Sequence, residues 1–292
     1  MISPWSERKQ RVALEHALEE VISATAVDDQ FRSALSYALF PGGKRLRPML
    51  ALGLAHDLGI CPTLVLEFAV SVELLHCASL VHDDLPALDN DVERRGKPSL
   101  HVAFGESSAV LVGDYLTGLA FRVLSSSKKL PSITAVQQEL ARAFCAVSYG
   151  QFLDLSPNSR AANLQSVHEN KTGALFGSIF AGVSTVAELS DELTQRARAF
   201  GAQLGIFFQQ RDDFLDNFAS ENQRGRKRRS DADNERVTDF TGCDLEQGKV
   251  IIQAHAAQLE EQWHALCDSI GAGELPLTTA RIQELLSTAV SH

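Results

Sequence analysis

Apolar residues recur at steps of three and four along nearly the whole chain, and the two-residue alternation of a half-buried strand is almost absent. The pattern predicts helices from Trp5 to Ile22 and from Phe31 to Phe40, after which Pro41, Gly42 and Gly43 punctuate the chain. A third helix starts near Arg45 and stops around Gly59, and a long one from Pro62 to Asp83 ends in acids. Gly105 to Leu124 follows, with small residues at Gly113, Gly118 and Ala120 that permit close helix contacts, and then Pro131 to Asp154. Beyond a polar loop at Ser156 to Arg160, helical spacing resumes to about Leu189. Further helices are predicted over Asp191 to Phe218, Leu245 to Ile270 and Thr278 to Val290. Between Ala219 and Cys243 the pattern fails, and the residues are almost wholly polar. No low-complexity linker or repeat divides the chain, so one all-α domain over residues 1–292 is the simplest organisation.

With 292 residues, 45% of them apolar and 22% charged, the chain can bury one large core. A net charge of −10 without a basic stripe argues against nucleic acid as a partner. The same charge repels an anionic ligand unless something local reverses it. Five cysteines, at 61, 77, 145, 243 and 267, show neither paired nor zinc spacing and fit a reducing compartment. The first residues hold no apolar core of signal-peptide length, and no run approaches the roughly 20 apolar residues that span a bilayer. A cytoplasmic protein without a transmembrane segment is therefore expected.

The helix predicted to end at Asp83 runs into HCASLVHDDLPALDNDVERR, in which Asp83, Asp84, Asp89 and Asp91 are followed by Arg94 and Arg95. Acids arriving at the end of an apolar helix need a partner, and a cation is the simplest. On an unbroken helix Asp83 and Asp89 would point about 240° apart. Pro86 breaks the helix and pushes Leu85 out of the α region, so the turn can bring Asp89 back beneath Asp83. Carboxylates suit Mg²⁺, which binds through one or two of them plus substrate phosphates. The stretch reads as a magnesium site for a diphosphate; the bland alternative is a solvated acidic loop. A second cluster, FQQRDDFLD, puts Asp212 and Asp216 one turn apart on one helix face, where unpaired like charges cost stability. Two such helix ends facing one another would cage more than one metal ion.

Other islands fit the same chemistry. PGGKRLRP places Lys44, Arg45 and Arg47 at a helix start, where cations oppose the dipole and an anion would help them. An arginine fork matches phosphate oxygens, and Lys44 adds a point charge; basic residues beside a turn are also simply common. His76, about two turns before Asp83 and nearly on its face, is either a phosphate donor or a satisfied core histidine. Lys171 and Thr172 sit in an otherwise apolar helix, and a buried lysine there needs a partner. Gln151 and Asp154 intrude into another apolar face, and Gln209 lies close to the second cluster.

In order, the chain carries GGKRLRP, LLHCASLVHDDLPALD with RRGKPSLH, GQFLDL, KTGALF and FQQRDDFLD. In this combination it resembles the trans-isoprenyl diphosphate synthases, particularly the short-chain bacterial farnesyl and geranylgeranyl enzymes, from about residue 30 to 218. The resemblance implies an all-α, single-domain helical bundle of the isoprenoid synthase type with a central cavity. It also implies a homodimer and a head-to-tail (1′-4) condensation of isopentenyl diphosphate with dimethylallyl, geranyl or farnesyl diphosphate. By the same resemblance Asp83, Asp89, Asp212 and Asp216 hold about three Mg²⁺ ions, with Asp84 and Asp213 as outer partners. Lys44, Arg47, His76 and Arg95 match the isopentenyl diphosphate site, and Arg94 and Lys171 match contacts to the allylic diphosphate. Thr172 and Gln209 match polar groups near the developing cation. A small Ala78 before the first acids implies an open tunnel floor and a C20 product; a farnesyl product is the alternative.

The resemblance weakens after residue 218. Family members carry a glycine–lysine pair in the loop and then D-x-x-x-x-K. Here RGRKRR stands for the first, with Arg226 or Lys227 as loop cation, and Asp231 to Arg236 for the second, with arginine in place of lysine. Residues 219–243 are read as a mobile loop that closes over substrate. A class I terpene cyclase would also use acidic helix ends but has no need of GGKRLRP and RRG. A non-catalytic partner subunit is a further alternative, although every aspartate of both clusters is present.

Overall fold

The computed structural model of the chain describes residues 5–40, 43–155, 163–218, 238–271, 273 and 275–287. They group into two compact units, residues 1–141 with 185–188 and residues 142–184 with 189–292.

The first unit is built on α1 (Glu7–Ser23), α2 (Asp29–Leu39), α3 (Leu46–Asp57), α4 (Leu66–Asp83), α5 (Leu100–Phe104) and α6 (Glu106–Ser126). α2 starts where the Phe31 N–H donates to the Asp28 carboxylate at 2.9 Å, which satisfies one orphan donor of its first turn. α4 touches α1, α2, α3 and α6. Every one of its residues from Phe68 to Leu75 is buried, as an element apolar on all sides requires. Its one buried acid in that run, Glu73, accepts from Arg45 Nη1 at 2.7 Å. α4 and α6 are joined by Ser71 Oγ, which donates to the Ala120 carbonyl at 2.8 Å. Contrary to the sequence expectation, α6 is long and apolar enough, by length and composition, to cross a membrane. Here its stripe of Ala109, Val112, Leu116, Leu119 and Ala120 is buried.

Two short elements escape the periodicity, α5 and a hairpin of β1 (Glu93–Arg94) with β2 (Lys97–Pro98). Arg95 and Gly96 between the strands both have positive φ, 55° and 75°. That is the two-residue primed turn whose twist suits a hairpin.

The second unit holds residues 142–155 of α7 (Ile133–Leu155), then α8 (Leu164–His168), a π-helical turn (Glu169–Gly173) and residues 174–184 of α9 (Ala174–Val186). α10 (Asp191–Phe218), α11 (Leu245–Ile270) and α12 (Pro276–Ser287) follow. α10 packs on α11 and on the π turn. The approach is close because both sides lack side chains: a Cβ on Gly205 would stand 2.8 Å from the Gly173 Cα. Phe180, Phe200 and Trp263 form an aromatic cluster with ring centroids 5.1 to 6.2 Å apart. Trp263 Nε1 also donates to Thr279 Oγ1 at 2.8 Å and ties α12 to α11. α11 opens on a capping box between Asp244 and Gln247.

Candidate active site

The first acidic cluster sits at the C-terminus of α4, the negative end of its dipole, where carboxylates favour a cation nearby. Past Asp83 the chain turns at Leu85 to Leu88 and returns, so that the Asp89 N–H donates to the Asp83 carbonyl at 2.8 Å. Both side chains are half-buried. Asp84 is buried and accepts a fork from Arg94, whose Nη2 also donates to Asp91 at 3.0 Å. Burial pushes the Asp84 carboxyl above the ordinary carboxylate range, against the pull of Arg94. Arg94 thus holds Asp84 and Asp91, while Asp83 and Asp89 are joined through their backbones across the turn. Among the described residues, no three His, Cys, Asp or Glu side chains close on one ion position. A pair of carboxylates is the donor set Mg²⁺ uses when substrate phosphates supply the rest.

Of the three cations after the glycines, one is structural. Arg45 adopts a left-handed conformation, φ 51°, which turns its guanidinium inward to Glu15 at 3.0 Å, Glu73 at 2.7 Å and the Leu39 carbonyl at 2.9 Å. Lys44 stays exposed, and its carbonyl accepts from Arg11 Nη2 at 2.7 Å. Arg47 Nη1 lies 3.2 Å from His76 Nε2. A guanidinium only donates, so Nε2 accepts and the ring proton sits on Nδ1. Burial of the ring, then Arg47, Arg95, Arg94 and Arg45, hold the His76 pKa well below its usual value. Arg95 leans over Gly43, where a Cβ would stand 3.1 Å from its Nε. The structure therefore brings Arg47, His76, Arg95 and the Gly43–Lys44 backbone together. A cleft lined by Tyr37, Phe40, Cys77, Arg94 and Arg95 adjoins them.

In the second unit, the two polar intrusions of the sequence answer one another: Lys171 Nζ donates to Asp154 Oδ2 at 2.7 Å. Lys171 and Thr172 lie on the π turn, a distortion often found at functional sites. Thr172 Oγ1 donates to Gln209 Oε1 at 3.1 Å, and Gln209 Nε2 donates to Asp213 Oδ1 at 3.0 Å. Asp212 and Asp216 are half-buried in the last two turns of α10, again at a negative helix end, and Arg211 Nη2 donates to Asp212 at 3.1 Å.

Several participants were not visible in the sequence pattern. His168 is buried, with Nε2 3.5 Å from Asp213 Oδ2 and Nδ1 3.7 Å from Asp239 Oδ2. Asp239 also accepts from Gln210 Nε2 at 2.6 Å, and the Gln210 oxygen meets His255 Nδ1. Burial lowers the His255 pKa, partly countered by Asp239. Spacing alone would have revealed another feature. D-x-x-x-x-K, matched at Asp231–Arg236 with arginine last, occurs again at Asp244–Lys249 with the lysine intact. Asp244 is there the N-cap of α11, and Lys249 pairs with Glu246 at 3.0 Å. Arg236, Arg226 and Lys227 lie outside the described residues, as does most of the 219–243 loop.

These features meet known proteins at family level. The polyprenyl synthetase family model matches residues 28–265. Farnesyl diphosphate synthase of Geobacillus stearothermophilus is 35% identical over 79% of this chain and 80% of its own. Geranylgeranyl pyrophosphate synthase 7 of Arabidopsis thaliana is 33% identical over 88% of this chain and 77% of its own. The crystal structure of geranyltranstransferase from Thermotoga maritima superposes with a TM-score of 0.80 at 27% identity, covering 98% of this chain and 99% of that one. A geranyltransferase from Helicobacter pylori, complexed with magnesium and isoprenyl diphosphate, gives 0.77 at 26% identity over 99% and 98%. The chain belongs to the polyprenyl synthetase family. It is an all-α prenyltransferase of the isoprenoid synthase fold, a trans-prenyl diphosphate synthase.

Proposed function

We propose that this enzyme condenses isopentenyl diphosphate with allylic diphosphates in a magnesium-dependent reaction and releases a C20 product. Asp83, Asp89, Asp212 and Asp216 would hold the metal, about three ions in all, as carboxylate pairs completed by phosphate oxygens. Bound metal supplies the Lewis acidity that stabilises diphosphate as it leaves. Lys44, Arg47, His76 and Arg95 bind the isopentenyl diphosphate, with His76 Nδ1–H as the donor left over from its contact with Arg47. Lys171 and Arg94 face the allylic diphosphate, and Arg94 also fixes the acidic turn. Thr172 and Gln209 face the allylic cation. No protein nucleophile is needed, since the double bond of isopentenyl diphosphate is the nucleophile. The Helicobacter pylori complex with magnesium and isoprenyl diphosphate supports this reading.

Product length rests on Ala78, a fully buried small residue five positions before Asp83. By the family resemblance this is a tunnel-floor position, where a methyl group would leave room that an aromatic would fill. Relatives named as farnesyl and as geranylgeranyl synthases both match the chain, so family membership alone does not fix the length. Incubation with labelled isopentenyl diphosphate and C5, C10 or C15 primers decides it. Mainly C20 alcohols after dephosphorylation are expected, and mainly C15 would overturn the length assignment. The exposed Val102, Val110 and Leu111 support a homodimer, which sedimentation tests.

A further inference from the structure

Thr172 carries a hydroxyl that can point either its proton or its lone pairs at a reacting carbon, and only the second suits a developing carbocation. The choice is made by residues behind it. A carboxylate only accepts, so Asp213 requires the Gln209 amide to present nitrogen, at 3.0 Å. That leaves the amide oxygen toward Thr172, 3.1 Å away, and forces the hydroxyl to donate to it. The lone pairs of Thr172 are what remain. Were the amide reversed, Thr172 would accept, and its proton would face outward.

Asp213 in turn is 8% exposed, and His168, 2% exposed, stands against its second oxygen at 3.5 Å. Among the described residues neither His168 Nε2 nor Asp213 Oδ2 has a hydrogen-bond partner, so at 3.5 Å the ring packs against the carboxylate without bonding to it. The far side of the His168 ring faces Asp239, itself fixed by Gln210. His168 thus keeps two acceptor-only groups apart and backs the one that orients Gln209.

We propose that Asp213 and His168 are positioning residues: together they set the polarity of the Gln209–Thr172 pair, so that an oxygen lone pair and not a proton meets the allylic cation. This rests on the proposed place of Thr172 beside that cation. The test is a double-mutant cycle in the full-length enzyme with magnesium. Asp213→Asn, whose side chain donates as well as accepts, should lower kcat about tenfold, less than the roughly 10²–10³ lost with a direct transition-state contact, and leave both KM values and the magnesium requirement within about twofold. In a Thr172→Val background the same change should cost less than about twofold, because nothing remains to orient. Multiplicative losses, or a raised magnesium requirement, would overturn the proposal and make Asp213 a metal partner. His168→Gln, which keeps a donor, should retain most of the kcat that His168→Leu loses. Should His168→Leu not fold, the cycle decides alone. Absence of any condensation by the wild-type protein would sink the proposed function, and no outcome of the cycle can be confused with that.

Discussion

Gly150 of α7 lies against the backbone of Lys171: a Cβ there would overlap the Lys171 nitrogen and stand 2.6 Å from its Cα. The contact sets the π turn beside α7, and with it the lysine that bonds Asp154 one turn further along. Gly150→Ala should therefore displace the turn that carries Lys171 and Thr172. We expect a loss of about 1–3 kcal/mol in stability, as for other overpacked sites, and a fall in kcat larger than that of Gly118→Ala, where the added methyl meets nothing. Thermal melts and steady-state rates on both variants check this, and equal kcat values would show that the turn does not depend on the contact.

Arg45 belongs to the fold and not to the ligand. Its guanidinium joins Glu15 and the buried Glu73. Arg45→Met should leave Glu73 as an unpaired buried charge and cost about 3–5 kcal/mol, read as a shift of the urea midpoint. Near-wild-type stability would show that the fold does not depend on Arg45.

Acid should weaken the first unit through His76. Its folded pKa is held well below the ordinary value by burial first and then by Arg47, Arg95, Arg94 and Arg45. The unfolded chain takes up that proton from about pH 6.5 downward, so the unfolded state binds more protons in that range. Stability from this group is full above about pH 6.5 and is lost as the pH falls toward the folded pKa. Between about pH 6.5 and 5.5 the Tm of the wild type should drop more steeply than that of His76→Gln. Parallel slopes would clear His76 of the effect.

Chelating magnesium should abolish turnover and restoring it should recover turnover. Asp83→Ala and Asp212→Ala should each lose about a hundredfold or more in kcat while still folding, since Lewis-acid stabilisation is worth several kcal/mol. Retention of near-normal turnover by either variant removes that aspartate from the metal site.

Ala78→Phe should shorten the product, because a ring at a fully buried position of α4 occupies space the growing chain would need. Chromatography of the dephosphorylated products reads this directly. An unchanged C20 distribution would place the floor elsewhere, with Leu116, also fully buried, as the next position to examine.

The sequence by itself determined the helices and which residue types stand at their ends. A 3.6-residue apolar period survives without its partners, so Asp191–Phe218 and Leu245–Ile270 are found where the pattern puts them. The break at Pro86 and the spacing of Asp212 and Asp216 are likewise local properties. Only the tertiary structure decided which of several like residues does what. Arg45 and Arg47 look equivalent in KRLR, and a left-handed backbone at one of them sends it inward to Glu73. Asp83 and Asp84 are neighbours, and a hairpin far from the helical pattern brings Arg94 to one of them. Asp213 meets His168, and Gly150 meets Lys171, because helices distant in sequence pack at backbone distance. Those assignments depend on direction and proximity in space, which no period along one strand of residues encodes.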